Sequence, residues 1–131
     1  MIGYVTLGTN DLAKATTFYD QLFATIGAKR FLETEKFVAW AKSPDQPGIS
    51  VTKPHNGQVA TPGNGTMVAI ELSSPEEVDA FYQKAMELGA TDEGKPGFRD
   101  EMKGFYAGYF RDLDGNKLNG FYLDMSAMMS K

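Results

Sequence analysis

The chain has no cysteine, one histidine and one tryptophan among 131 residues. The first absence excludes disulfides, thiolate metal sites and a cysteine nucleophile, and it fits a reducing compartment. The second leaves His55 as the single imidazole, in a loop between Pro54 and Asn56, where one ring without partners makes neither a zinc site nor a catalytic pair. No apolar run approaches bilayer-spanning length, and no basic segment precedes an apolar one at the N-terminus, so the reading is of a cytoplasmic protein with no membrane partner. Positive charge is also scarce: 13 Lys and Arg face 17 Asp and Glu, a net charge of −4. Without a basic patch the electrostatic attraction to phosphate backbones is missing, and nucleic acid is excluded as a partner.

What the chain does contain is alternation. A length of 131 residues is that of one domain with one core. In the stretch from Phe105 to Asp124, Asp114-Gly115-Asn116 supplies turn residues between two runs of alternating apolar and aromatic side chains, which predicts a tight hairpin. Side chains of a strand point to opposite faces in turn, so Lys117, Asn119, Phe121 and Leu123 share one face, and Leu118, Gly120 and Tyr122 the other. Upstream, Ile2 to Thr9 reads as a strand and Asn10 as the cap of a helix. The apolar stripe of that helix is Leu12, Ala15, Phe18, Tyr19, Leu22, Phe23 and Ile26, with Gly27 ending it. Lys29 to Thr34, Lys36 to Lys42 and Gly48 to Lys53 are three further strands, separated by turn-forming residues.

Residues 54–65 carry prolines and glycines with little apolar content and read as a linker. The pattern then restarts. Thr66 to Ser73 alternates as a strand, and Ser74-Pro75-Glu76-Glu77 combines an N-cap, a first-turn proline and a capping-box glutamate ahead of the stripe Val78, Phe81, Tyr82, Ala85 and Leu88. Gly89 closes this second helix, Ala90 to Glu93 reads as a short strand, and Gly94 to Gly104 as a loop before the hairpin. Phe18-Tyr19 recurs as Phe81-Tyr82 and Tyr4 as Met67, each 63 residues on, so the chain reads as an internal repeat of two βαβββ units. The expected organisation is α+β: one domain with module one at 1–53, linker 54–65, module two at 66–124 and a tail at 125–131.

This duplicated layout, with Leu7 to Tyr19 in the first copy and Arg111 to Leu118 in the second, resembles the vicinal oxygen chelate superfamily of glyoxalases, bleomycin and fosfomycin resistance proteins and extradiol dioxygenases. The resemblance implies a curled, largely antiparallel sheet around a central cup, and a homodimer. In metal-dependent members the ligands come from the first and last strands of each module. Carried over residue by residue, those positions here are Tyr4, a place near Ser50, Met67 and Asn119. A phenol, a hydroxyl, a thioether and a neutral amide lack the charge and basicity of normal ligands, so the expectation is a site with no metal and no cofactor.

The remaining candidates are weighed by face and chemistry. Glu71 shares the alternation of Met67; held among Phe121, Tyr106 and other apolar groups, its carboxyl would be pushed up and could act as a general base, whereas at the strand's end it would simply be hydrated. Arg99, in the loop Gly97 to Gly104, is placed to clamp a carboxylate or phosphate. Tyr4, Met67, Tyr106, Tyr109 and Phe121 make an aromatic lining suited to a small-molecule ligand. Trp40, Phe37 and Tyr122 fit either face, and Met125, Met128 and Met129 give the tail an apolar side that either frays or covers a neighbouring subunit.

Three functions follow: a metal-free module binding a small, partly planar molecule; a lyase, isomerase or oxygenase using Glu71, a tyrosine or an unusual metal set; and a subunit that serves association alone. A single ferredoxin-like βαββαβ domain is the competing fold, disfavoured because three strands rather than two separate the helices.

Overall fold

Period-two alternation becomes two four-stranded sheets, and the two apolar stripes become the helices beneath them. The computed structural model of the protein describes the backbone of residues 1–129 and the side chains as far as residue 127. In the first module β1 (Tyr4–Gly8) leads into α1 (Leu12–Ala24), then β2 (Lys29–Glu33), β3 (Phe37–Ala41) and β4 (Gly48–Thr52). The second repeats the order: β5 (Val68–Glu71), α2 (Pro75–Glu87), β6 (Thr91–Phe98), β7 (Phe105–Arg111) and β8 (Lys117–Leu123), with a short α3 (Met125–Met129) after it. The sheets run β1-β4-β3-β2 and β5-β8-β7-β6. The first strand of each module pairs in parallel with the last, and the remaining pairs are antiparallel. The repeat holds at the level of register: Thr6 pairs with Ser50, and Ala69, 63 residues on, pairs with Asn119.

One face of each sheet is buried. Leu7, Val38, Trp40 and Val51 from the first and Leu72, Phe110 and Leu118 from the second join the stripes of α1 and α2 in a single core. Tyr19, Phe23 and Trp40 meet edge to face or tilted, with ring centroids 5.1–5.8 Å apart. Each such fully buried side chain contributes about 1.5–3 kcal/mol. Among the described elements, α1 and α2 form the packing contact between the modules, and no strand of one sheet pairs with a strand of the other. The sheets are therefore not closed into a barrel, and the face of each that looks away from the helices is open.

The ends of the elements are where expectation and structure part. The cap of α1 is Asp11, whose Oδ1 accepts from the Lys14 amide at 3.0 Å. Asn10, the predicted cap, lies one residue too early. Its side chain instead exchanges hydrogen bonds with the backbone of Ala60, at 2.7 and 3.1 Å, tying the 54–65 segment to the end of β1. At α2 the prediction holds: Ser74 Oγ accepts from the Glu77 amide at 3.1 Å and Pro75 is the first helical residue. Glu77 reaches back to the amide and hydroxyl of Ser73, at 2.7 and 3.0 Å. Replacing Ser74 by Ala removes the acceptor, and thermal unfolding followed by circular dichroism is expected to show a loss of about 1 kcal/mol.

β6 is longer than predicted. Gly94, Pro96 and Gly97 read as breakers, yet the strand runs through them to Phe98 by slipping register twice against β7, at Gly94 and again before Gly97. Bulges accept the residues that a regular strand rejects. Pro96 stands where a Cβ on Gly108 of β7 would come within 2.9 Å of its Cγ, so the partner strand keeps a glycine there. The connecting loop accordingly shrinks to residues 99–104. The side chains of Met128 and Met129 lie outside the described residues.

Candidate functional site

The open face of the second sheet gathers the polar and aromatic groups. The β7–β8 register sets Tyr109 opposite Asn119, Ala107 opposite Phe121 and Arg111 opposite Lys117, and β5 adds Ala69 beside Asn119. Phe105 and Phe121 stack, with ring centroids 5.4 Å apart and an interplanar angle of 25°. Arg99, the first residue after β6, folds back over this face. Its Nη2 donates to the carbonyls of Lys95 and Ala107, both at 2.6 Å, and its Cζ stands 5.1 Å from the centroid of the Tyr109 ring. Lys117 Nζ lies 5.5 Å from the same ring. The three residues, with Glu93, Met102 and Phe105, border a hollow of about 370 Å³.

Two buried polar atoms here lack a hydrogen-bond partner: Arg99 Nε and Asn119 Oδ1. Asn119 is only 1% exposed. A buried polar atom left unpaired costs about 1–3 kcal/mol, and such atoms are uncommon in folded proteins.

Of the residues nominated from sequence, Asn119, Phe121 and Arg99 share this face. Met67 precedes β5 at its edge, half exposed, and Glu71 is exposed at the end of β5. Glu71 lies at the rim of a hollow of about 410 Å³ that Phe23, Ile26, Trp40 and Ile49 also line, but at the end of an edge strand it is exposed and not buried against Phe121 and Tyr106. Tyr106 is on the opposite side. Two residues of a strand three apart point to opposite faces, so Tyr106 and Tyr109 cannot share a lining. The Tyr106 hydroxyl donates to Asp79 Oδ1 of α2 at 2.6 Å. Trp40 also faces the helices, donating to Asp20 Oδ1 at 2.8 Å, as does Tyr122, which pairs with Tyr106. Phe37 falls on the open face of the first sheet, in register with Thr52.

The hydrogen bond to Asp79, and burial after it, push the Tyr106 hydroxyl up to about 12; burial, then Asp92, does the same for Tyr82. Their bonds are intact below the ordinary tyrosine value of about 10 and are lost as the pH rises through the folded value. A titration of phenolate absorbance should show these two rings ionising late, and Asp79→Ala should return Tyr106 alone toward the ordinary range.

Tyr4 and Ser50 belong to the first sheet. Tyr4 is 67% exposed, and Ser50 is buried with its Oγ 2.9 Å from Thr6 Oγ1. The sheets share no edge, so within one chain Tyr4 and Ser50 lie on a different open face from Asn119. Around Tyr4 that face also exposes Phe31 and Leu32. Sequence reasoning missed Lys117 and Phe105 as site residues, although the alternation through Asn119 already placed Lys117 beside it. Among the described residues no three His, Cys, Asp or Glu side chains are grouped to hold a metal ion, and no helix is long and apolar enough to cross a membrane.

Two βαβββ modules with parallel first-and-last strand pairs and helices on one face define the fold of the glyoxalase type. The chain belongs to the glyoxalase/bleomycin resistance protein/dioxygenase superfamily, whose family model matches residues 1–119. It is similar to a glyoxalase/bleomycin resistance protein from Albidiferax ferrireducens T118, at 37% identity over 95% of this chain and 99% of that one, with a TM-score of 0.86. FosX, a genomically encoded fosfomycin resistance protein from Listeria monocytogenes, shares the fold at 20% identity, 98% of each chain and a TM-score of 0.71. A glyoxalase/bleomycin resistance protein/dioxygenase from Nocardioides does so at 20% identity, 100% of this chain, 88% of that one and a TM-score of 0.70. No curated protein matches the chain.

Proposed function

We propose that the protein is a metal-independent module that binds a small organic molecule on the open face of its second sheet, in a site completed by a second copy of the chain. The observation that carries this reading is Asn119, whose buried Oδ1 has no partner at the position where metal-dependent members of the superfamily place a carboxylate. Tyr4, Ser50, Met67 and Asn119 do not fit a divalent cation: the Ser50 hydroxyl is occupied by Thr6, and none of the four carries negative charge. Lys117 and Arg99 further oppose a cation there by repulsion. No step is derived through a metal.

The dimer rests on unpaired strand edges. β1 and β5 are both edge strands, and Ile2 and Tyr4 stand exposed along β1. Edges of this kind are normally covered, and a two-fold pairing of β1 with the partner's β5 edge would bring an open face of the first sheet over an open face of the second. The same reading places the cysteine-free chain in the cytoplasm.

Elemental analysis of the purified protein, combined with light scattering, tests both parts. Metal-free protein with the mass of two chains is expected. Stoichiometric zinc, nickel, iron or manganese bound at Asn119 would end the first claim, and a monomer at micromolar concentration the second.

A further inference from the structure

Three of the five asparagines precede a glycine: Asn56-Gly57, Asn64-Gly65 and Asn119-Gly120. An asparagine so placed is open to attack on its side-chain carbonyl carbon by the backbone nitrogen of the next residue, which lies close by and, in glycine, has no Cβ beside it. The attack needs that nitrogen and that side chain to be free, and the fold treats the three pairs differently. Asn119 is 1% exposed in β8, and Gly120 stands in the ladder between Ile70 of β5 and Gly108 of β7. Asn56 and Gly57 are exposed, but the Gly57 amide donates to Pro54 O at 3.0 Å and Asn56 Oδ1 accepts from the Gln58 amide at 3.0 Å. Asn64 and Gly65 are exposed at the corner of a turn closed by the Thr66 amide, which donates to Gly63 O at 3.2 Å. Gly65 has a φ of 92° and Asn64 a negative φ, the signs of a type II turn, whose central N–H takes no part in closing it. Among the described residues neither the Gly65 amide nor the Asn64 side chain has a hydrogen-bond partner.

We propose that Asn64 is a site of spontaneous covalent modification, deamidating through a succinimide while the fold holds back Asn56 and Asn119. The Gly65 nitrogen gives its proton to a base in solution and forms a bond to Asn64 Cγ; the Cγ–Nδ2 bond breaks, and the side-chain nitrogen leaves as ammonia. Water then opens the ring at either carbonyl, giving aspartate or isoaspartate. Water is the one co-reactant. Each conversion adds a negative charge to a chain of net charge −4. Isoaspartate also carries the backbone through Cγ, one atom longer, in the segment that joins the two modules ahead of β5. The bond closing the turn spans the lengthened residue, so the turn opens wherever conversion has taken that route.

Purified full-length protein is held at mildly alkaline pH and sampled over time by tandem mass spectrometry, which assigns the added mass to Asn56, Asn64 or Asn119 and separates isoaspartate from aspartate. Asn64 is expected to convert first, with isoaspartate among its products, and faster as the pH rises, because the attacking nitrogen is the deprotonated amide. Asn56 should lag by about tenfold, the factor in rate that giving up its turn bonds imposes. Asn119 should stay unchanged in the folded protein and convert once urea exposes it. Asn64→Gln, whose longer side chain must close a larger ring, should abolish the modification at residue 64 and leave the rate at Asn56 unaltered. Conversion at Asn56 as fast as at Asn64, aspartate at residue 64 without isoaspartate, or an inert Asn64 would each overturn the inference.

Discussion

Asp112→Ala is expected to lower stability by about 4 kcal/mol and the melting temperature by roughly 15 °C, a large part of what a domain of this size has to lose. The carboxylate is 5% exposed and fully used. Oδ1 accepts from the amides of Asp114 and Asn116, each at 2.9 Å, and Oδ2 accepts from Asn116 Nδ2 at 3.0 Å and from the Tyr19 hydroxyl at 2.6 Å. Alanine leaves a buried phenol and a buried amide donor without acceptors, and each such group costs about 1–3 kcal/mol. The damage also crosses between modules. Tyr19 belongs to α1, while Asn116 Nδ2, positioned by Asp112, donates to Gly8 O at the end of β1 at 2.9 Å. Burial, with Asp112 second, already pushes the Tyr19 hydroxyl well above its usual value, so it cannot escape by ionising. Tyr19→Phe alone removes one bond and should cost about 1 kcal/mol, but almost nothing in the Asp112→Ala background. Additive losses in that cycle, measured by urea unfolding, would show that the two side chains do not act through each other.

That hub marks a limit of sequence reading. Asp114-Gly115-Asn116 announces a turn, and Gly115 does adopt a φ of 87°. The turn is nonetheless a five-residue connection, closed by the Asp112 amide donating to Asn116 O at 2.8 Å. An aspartate before a turn looks the same whether it is solvated or receives a tyrosine from 93 residues away. The helices, by contrast, were legible to within a residue at their starts, because a capping residue and a 3.6-residue stripe are local properties. The repeat was legible because both halves meet the same packing demand: Tyr19 and Tyr82 are both buried, and both donate to an aspartate, at 2.6 and 2.7 Å. On the site, alternation put Asn119 and Phe121 on one face and should have set Tyr106 apart from Tyr109, but aromatic character was allowed to outweigh parity. How the two sheets lie was out of reach, since it depends on α1 meeting α2 and not on any residue of the open faces.

Asn119→Leu is expected to act in the opposite direction, raising stability by about 2 kcal/mol and the melting temperature by roughly 7 °C. Leucine has as many side-chain heavy atoms as asparagine, branched at the same carbon, and the site is already closed to water at Oδ1, so the exchange removes an unpaired acceptor without opening a cavity, its bulkier methyls being taken up by the neighbouring side chains. Around it stand Ala69, Tyr109 and Phe121, which can receive an apolar side chain. A position where the native residue is worse for the fold than a plain hydrophobe is one where stability has been yielded to function. The same variant should therefore gain heat resistance while losing whatever small-molecule binding this face supports. An unchanged or lower melting temperature would mean that the amide is hydrogen-bonded in solution, by an internal water or by the partner chain, and is not an acceptor held ready for a ligand.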